Sequence, residues 1–166
     1  MSAYELAQLN IGIIRGPMDS PVMAEFAANL ARINALAEAS PGFVWRLQTE
    51  AGDATAIRAF ENPNMLLNMS VWRDLESLRQ YVYASAHMEI MRRRREWFER
   101  MSEAYLVLWW VPRHHRPGIA EALDRLEALR RCGPHALAFS FRQAYAPPDA
   151  PGNECPSLTP EQCPAL

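Results

Sequence analysis

The chain reads as runs that alternate apolar and polar residues, separated by stretches of helical period. In Leu6–Ile14, Leu9, Ile11 and Ile13 share one side while Gln8, Asn10 and Gly12 share the other, which predicts a strand. Gly16-Pro17 ends it. Ser20 ahead of Pro21 sets a hydroxyl N-cap before proline at the first helical position. Met23, Phe26, Leu30, Ile33 and Ala37, with Leu36 on the flank, then form the buried stripe of a helix that runs to Ala39. Ser40-Pro41-Gly42 stops it. Phe43–Leu47 predicts a second strand, and Met65–Trp72 a third. In the third, Met65, Leu67, Met69 and Val71 oppose Leu66, Asn68, Ser70 and Trp72. The intervening residues 48–64 are polar, broken by Gly52 and Pro63, and read mostly as loop.

Asp74 caps a short helix through Tyr83. After a break near Ala84-Ser85 the pattern predicts one long amphipathic helix from His87 to Met101. At 100° per residue, His87, Ile90, Met91, Arg94, Trp97, Phe98 and Met101 fall on its inner face. On the outer face Glu89–Arg93, Arg92–Glu96 and Glu96–Arg100 form ion pairs, each contributing about 0.2–0.5 kcal/mol. Ala104–Val111 is apolar on both sides, the pattern of a strand covered twice. Ile119–Arg131 predicts a helix with Ala122, Leu123, Leu126 and Leu129 in its stripe, and Leu137–Arg142 a last strand.

This order predicts an α+β fold, a ferredoxin-like βαββαβ unit with a C-terminal helix-strand extension. The domain spans residues 1–145, and the proline-rich residues 146–166 read as a disordered or draped tail. Helices must cover one sheet face. The other carries Trp45 or Arg46, Asn68 or Met69, and Trp109 or Trp110, too apolar to face water. Two such sheets facing one another in a homodimer would bury it.

Net charge is −2 with 22% charged residues, which argues against nucleic acid. The run Arg92–Arg95 points in four directions on a helix and is flanked by glutamates. The N-terminus lacks the basic and apolar regions of a signal peptide, and the longest apolar run, Tyr105–Val111, is of strand length. A cytoplasmic protein with no membrane contact is expected. Three cysteines, Cys132, Cys155 and Cys163, with no CxxC, argue against a disulfide framework or a zinc site. No Ser-His-Asp order, glycine-rich phosphate loop or HExxH occurs.

The segments ARINALAEASPGFVWRL, NMSVW, YVYASAH, RRREWFERM, YLVLWWVP and EALDRLEALRRCGP resemble a bacterial family carried as a domain of unknown function. That family lies in the dimeric α/β-barrel superfamily, alongside the antibiotic-biosynthesis monooxygenases. The resemblance covers about Leu6 to Arg142. It implies the dimeric α/β-barrel fold, a homodimer, and a pocket between sheet and helices, without a settled reaction. Two chemistries recur in the superfamily: oxidation of polyaromatic substrates without a cofactor, through asparagine and tryptophan side chains, and haem binding. In haem-degrading members the axial histidine sits on the helix after the third strand, and His87 occupies the comparable helix.

The inner-face pair His87 and Arg94 carries the functional expectation, because burying an unpaired cation is costly. Either a ligand cavity faces them or they have protein partners. In the haem reading His87 ligates the iron, Met91 packs on the porphyrin and Arg94 holds a propionate. The bland alternatives are a core histidine bonded to a backbone carbonyl or to Asn68, and an Arg94 salt bridge to Glu61, Asp74 or Glu103. In the cofactor-free reading Asn68 and Trp72 orient a flat aromatic substrate for reaction with O₂, with Asn10, Asn34 and Ser70 as further polar groups. Either way the expected activity is that of a monooxygenase-like small-molecule oxygenase. A non-catalytic, ligand-binding dimer is the third reading.

Overall fold

The computed structural model describes residues 2–84 and 87–151. Its elements are β1 (Tyr4–Ile13), α1 (Ala24–Ala39) entered through a single 3₁₀ turn, β2 (Phe43–Arg46), β3 (Met65–Trp72), α2 (Leu75–Ala84), α3 (His87–Arg92), α4 (Arg94–Trp97), β4 (Leu106–Pro112) and α5 (Ile119–Cys132). Among the described residues the strands form one four-stranded antiparallel sheet in the order β2-β3-β1-β4. This is the ferredoxin-like arrangement expected from the βαββαβ order, with α5 added behind it.

The register fixes which side chains share a face. Leu6, Gln8, Asn10 and Gly12 of β1 pair with Trp72, Ser70, Asn68 and Leu66 of β3, so all eight lie on one face. Leu106, Leu108 and Trp110 of β4 continue it. The helices α1 to α4 pack over this face. The opposite face carries Leu9, Ile11, Met69, Val71, Val107 and Trp109, each no more than 2% exposed.

That second face is covered by the chain itself. Ala122, Leu126 and Leu129 of α5 share one buried cluster with Leu9, Ile11 and Trp109, and Leu47, Ile57 and Phe60 pack at its margin. Trp109 Nε1 donates to Glu121 Oε1 at 2.9 Å, which fastens the start of α5 to the sheet. One of the two grounds for expecting a second sheet here was the apolarity of this face, the other being the family resemblance. With α5 in place, that physical reason for a sheet-to-sheet homodimer is gone. β4 lies at the sheet edge yet is buried on both sides, as its sequence required.

Four local expectations are corrected. Ser20 makes no side-chain cap; its hydroxyl donates to the Pro17 carbonyl instead. The helix beginning at His87 breaks at Arg93 and ends at Trp97. The chain there turns to the end of β1: Arg15 N donates to Trp97 O at 2.9 Å and Glu99 N to Ile13 O at 2.8 Å, so residues 98–101 cannot continue a helix. With the helix broken, the expected i,i+4 pairs are replaced by Arg93 with Glu96 and, across to α1, Arg93 with Glu25. Leu137–Arg142 is not a strand. His135–Ala138 closes a tight turn and only Phe139 bridges to Leu108, with reciprocal bonds of 2.8 and 2.9 Å.

Between Phe139 and Asp149 the chain stays on the domain. Trp110 Nε1 donates to Tyr145 O at 2.8 Å, and Asp149 accepts from Ser2 Oγ at 2.7 Å and Ala3 N at 2.6 Å. Cys132, at the end of α5, is disulfide-bonded, contrary to the expectation from the odd count. Cys155 and Cys163 lie outside the described residues, as does the Ala84-Ser85 break beyond Ala84.

Candidate functional site

A cavity of about 170 Å³ lies between the first sheet face and the helices. Its floor is the polar part of the register: Gln8 and Asn10 of β1, Asn68 and Ser70 of β3. Its walls are apolar. Phe26, Leu30 and Ile33 of α1 stand on one side, with Tyr81, Ile90 and Met91 of α2 and α3 on the other. The stripe of α1 that the periodicity assigned to the core is thus only partly buried, because it faces this hollow.

The floor is ordered by a short network. Gln8 Nε2 donates to Asn68 Oδ1 at 3.1 Å and to Ser70 Oγ at 3.2 Å. Trp72 Nε1 donates to the same Ser70 Oγ at 2.9 Å. With its carbonyl oxygen held by Gln8, the exposed Asn68 keeps its amide N–H groups as donors to the cavity. Asn10 lies opposite Asn68 in the register and Asn34 projects from α1, both lining the same space.

All five residues singled out from sequence meet here: Asn68, Trp72, His87, Met91 and Arg94 line one cavity. Their surroundings differ from one to the next. Trp72 is fully buried, stacked on Tyr81 at 5.0 Å and edge-on to Phe43 at 5.4 Å. Its N–H serves Ser70, so it supports the floor rather than reaching for a ligand. Burial lifts the Tyr81 phenol far above its usual range, against the pull of Arg46. His87 packs its ring on Tyr81 at 4.7 Å. Burial lowers its pKa below 6.5, partly offset by a hydrogen bond to the Val82 backbone. The imidazole is therefore neutral at pH 7, and the bland reading of a carbonyl-bonded histidine holds beside the open one.

Arg94 does not form the salt bridge to Glu61, Asp74 or Glu103; Glu103 pairs with Arg130 instead. Its Nη2 donates to Ile11 O at 3.1 Å. The guanidinium lies 4.6 Å from the Phe98 ring centre and 4.8 Å from that of Tyr105, contacts that contribute about 0.5–2 kcal/mol each. Among the described residues no carboxylate pairs with it. Burial pulls its pKa down, offset in part by Tyr105. Gly12 makes room for it.

The residues do not fit a haem. A cavity of about 170 Å³ holds one aromatic ring, since a void of roughly 150 Å³ binds benzene; a porphyrin is several rings wide. The face of His87 is packed on Tyr81, and the Arg94 fork is partly taken by a carbonyl. These contacts do not support His87 as iron ligand with Met91 and Arg94 as haem contacts. Sequence reasoning passed over Gln8, Arg46 and Tyr81. The signal for Gln8 was present, because its polar position alternates with buried ones in β1.

Fold and site together define a ferredoxin-like α+β protein with a ring-sized cavity, polar below and apolar around. The chain belongs to the domain-of-unknown-function family DUF3291, whose model matches residues 5–155. Among solved structures it is similar to SnoaB, a cofactor-independent oxygenase from Streptomyces nogalater. That likeness has 22% identity and a TM-score of 0.48, covering 70% of this chain and 100% of SnoaB. It is also similar to a protein of unknown function from Nitrosomonas europaea, with 13% identity and a TM-score of 0.44, covering 70% of this chain and 95% of that one. No curated protein matches the chain. No described helix is long and apolar enough to cross a membrane.

Proposed function

We propose that this protein is a small-molecule oxygenase that works without haem on a small, electron-rich aromatic compound seated between the sheet and α1–α3. The observation that carries the reading is the ring-sized cavity, about 170 Å³, with the amides of Asn10 and Asn68 on its floor. Apolar walls with a few placed polar groups are the usual build of a small-ligand site.

In the reaction that fits these groups, the substrate supplies the electrons. Loss of a proton from an acidic ring position gives a phenolate or enolate. His87, neutral at pH 7 because burial lowers its pKa, accepts that proton. The amide N–H groups of Asn10 and Asn68 stabilise the negative oxygen. The electron-rich carbon then reduces O₂ and keeps one oxygen atom. For a ring methylene the change is CH₂ to C=O: both hydrogens leave with the second oxygen as water, so no outside reductant enters.

The test is O₂ uptake by the purified protein with dihydroxybenzenes and with phenols that carry a ring methylene. Substrate-dependent uptake is expected, unaffected by chelators and reduced about 10²-fold by Asn68→Ala, the scale of losing one oxyanion donor. Phenols that bind but drive no uptake would overturn the oxygenase reading and leave a ligand-binding protein.

A further inference from the structure

The proposed ligand class can be narrowed by the end of the cavity at which Arg94 stands. Arg94 has five N–H donors, and one of its nitrogens bonds to the Ile11 carbonyl. Phe98 and Tyr105 stack beside the guanidinium plane, which holds the fork in one orientation. The remaining donors belong to a side chain that lines the cavity. Among the described residues no carboxylate lies within ion-pair distance of it. Arg46, the second arginine along the cavity, is different: Glu38 neutralises it at 2.8 Å.

The surroundings also give direction. Arg94 sits at the β1–β4 side, against Ile11 and Tyr105. Asp53, the carboxylate lining the cavity, follows β2 at the other side of the sheet and turns Oδ1 to Thr55. An anion is therefore attracted at one end and repelled at the other. Along β1, Gly12 beneath Arg94 is two residues from Asn10, about 7 Å at strand rise. The two ends are therefore close enough for one small ligand to meet both.

We propose that the cavity selects a monocyclic aromatic acid, its carboxylate in the Arg94 fork and an oxygen on the far side of the ring at Asn10 and Asn68. A planar fork matches a carboxylate with two parallel hydrogen bonds, which a lysine ammonium cannot reproduce. This rests on the aromatic-ligand reading of the cavity, though not on any turnover.

The experiment is calorimetric titration of 4-hydroxybenzoate and its neutral amide, 4-hydroxybenzamide, into wild type, Arg94→Lys and Arg94→Met. In wild type the acid binds about 10–100-fold tighter than the amide, the scale of hydrogen bonds to a charged group. Arg94→Met removes that preference, lowering affinity for the acid more than for the amide, while Arg94→Lys keeps part of it. Equal binding of acid and amide by wild type overturns the Arg94 assignment while keeping the aromatic cavity. So does an acid preference that survives in Arg94→Met. If neither compound binds, the aromatic reading of the cavity falls, and this proposal with it. Should Arg94→Met fail to fold, the wild-type comparison and Arg94→Lys still decide.

Discussion

Gly12 and Arg94 approach so closely that only a hydrogen fits between them. A Cβ on Gly12 would stand 2.9 Å from Arg94 Nη2 and 2.6 Å from Phe98 Cδ1. Glycine inside a strand weakens it, and its presence marks a close approach of another group. Here that group is the cation at the end of the cavity.

Gly12→Ala is therefore expected to push Arg94 and Phe98 outward. Overpacking of this kind costs about 1–3 kcal/mol, read as a lower midpoint in urea unfolding. Affinity for 4-hydroxybenzoate should fall more than affinity for its amide. A variant with wild-type stability and ligand preference would show that the contact has no consequence.

Trp72→Phe separates floor support from substrate contact. It removes the indole donor to Ser70 and shrinks a fully buried ring. The expected loss is about 1–3 kcal/mol of stability. The KM for an oxidised phenol should stay within about threefold, because the N–H already serves Ser70. A large rise in KM in a stable protein would restore Trp72 to the substrate-contacting role read from its sequence position.

Acid should weaken the fold through His87. Its pKa is lowered in the folded state relative to 6.5 in the unfolded chain, chiefly by burial. Above pH 6.5 the imidazole is neutral in both states and the full stability is present. As pH falls through 6.5 the unfolded chain takes up a proton that the folded chain refuses, so stability declines until the folded value is passed. Urea midpoints from pH 8 to 5 should show this decline, and His87→Gln should flatten it. An unchanged slope in the variant would assign the effect to other groups.

The seam between α5 and the sheet can be probed at Glu121. Burial raises its pKa, but hydrogen bonds from His115 and Trp109 outweigh this and hold it below the usual carboxylate value. Glu121→Leu leaves the buried Trp109 N–H without its acceptor, at a cost of about 1–3 kcal/mol. Indole fluorescence should follow the loosening, with ligand binding on the opposite sheet face unchanged. Loss of binding without loss of stability would contradict the separation of the two faces.

The parts of this molecule legible in the sequence are those decided by near neighbours. The period of two in β1 and β3 set which residues share a face, and with it the meeting of Asn10 and Asn68. The inner face of the His87 segment was also legible, since six of its seven residues line the cavity. What escaped was decided by distant partners. The break at Arg93 follows from the pairing of the next residues with the end of β1, more than eighty positions earlier in the chain. The apolar stripe of α5 announced burial without saying against what. Arg94 showed its cost in the sequence but not its company, a carbonyl and two rings in place of a carboxylate.

The placement of β1 bears on how the chain comes together during synthesis. Tyr4–Ile13 is made early, yet its neighbours β3 and β4 and the helix that dries its back all follow it. Until Ile119–Cys132 leaves the ribosome, the most apolar strand face lacks the helix that covers it. Pairings between such distant segments slow folding, and exposed strands invite aggregation meanwhile. Nascent chains stalled before α5 should therefore be far more dependent on chaperones than chains released a few residues after it.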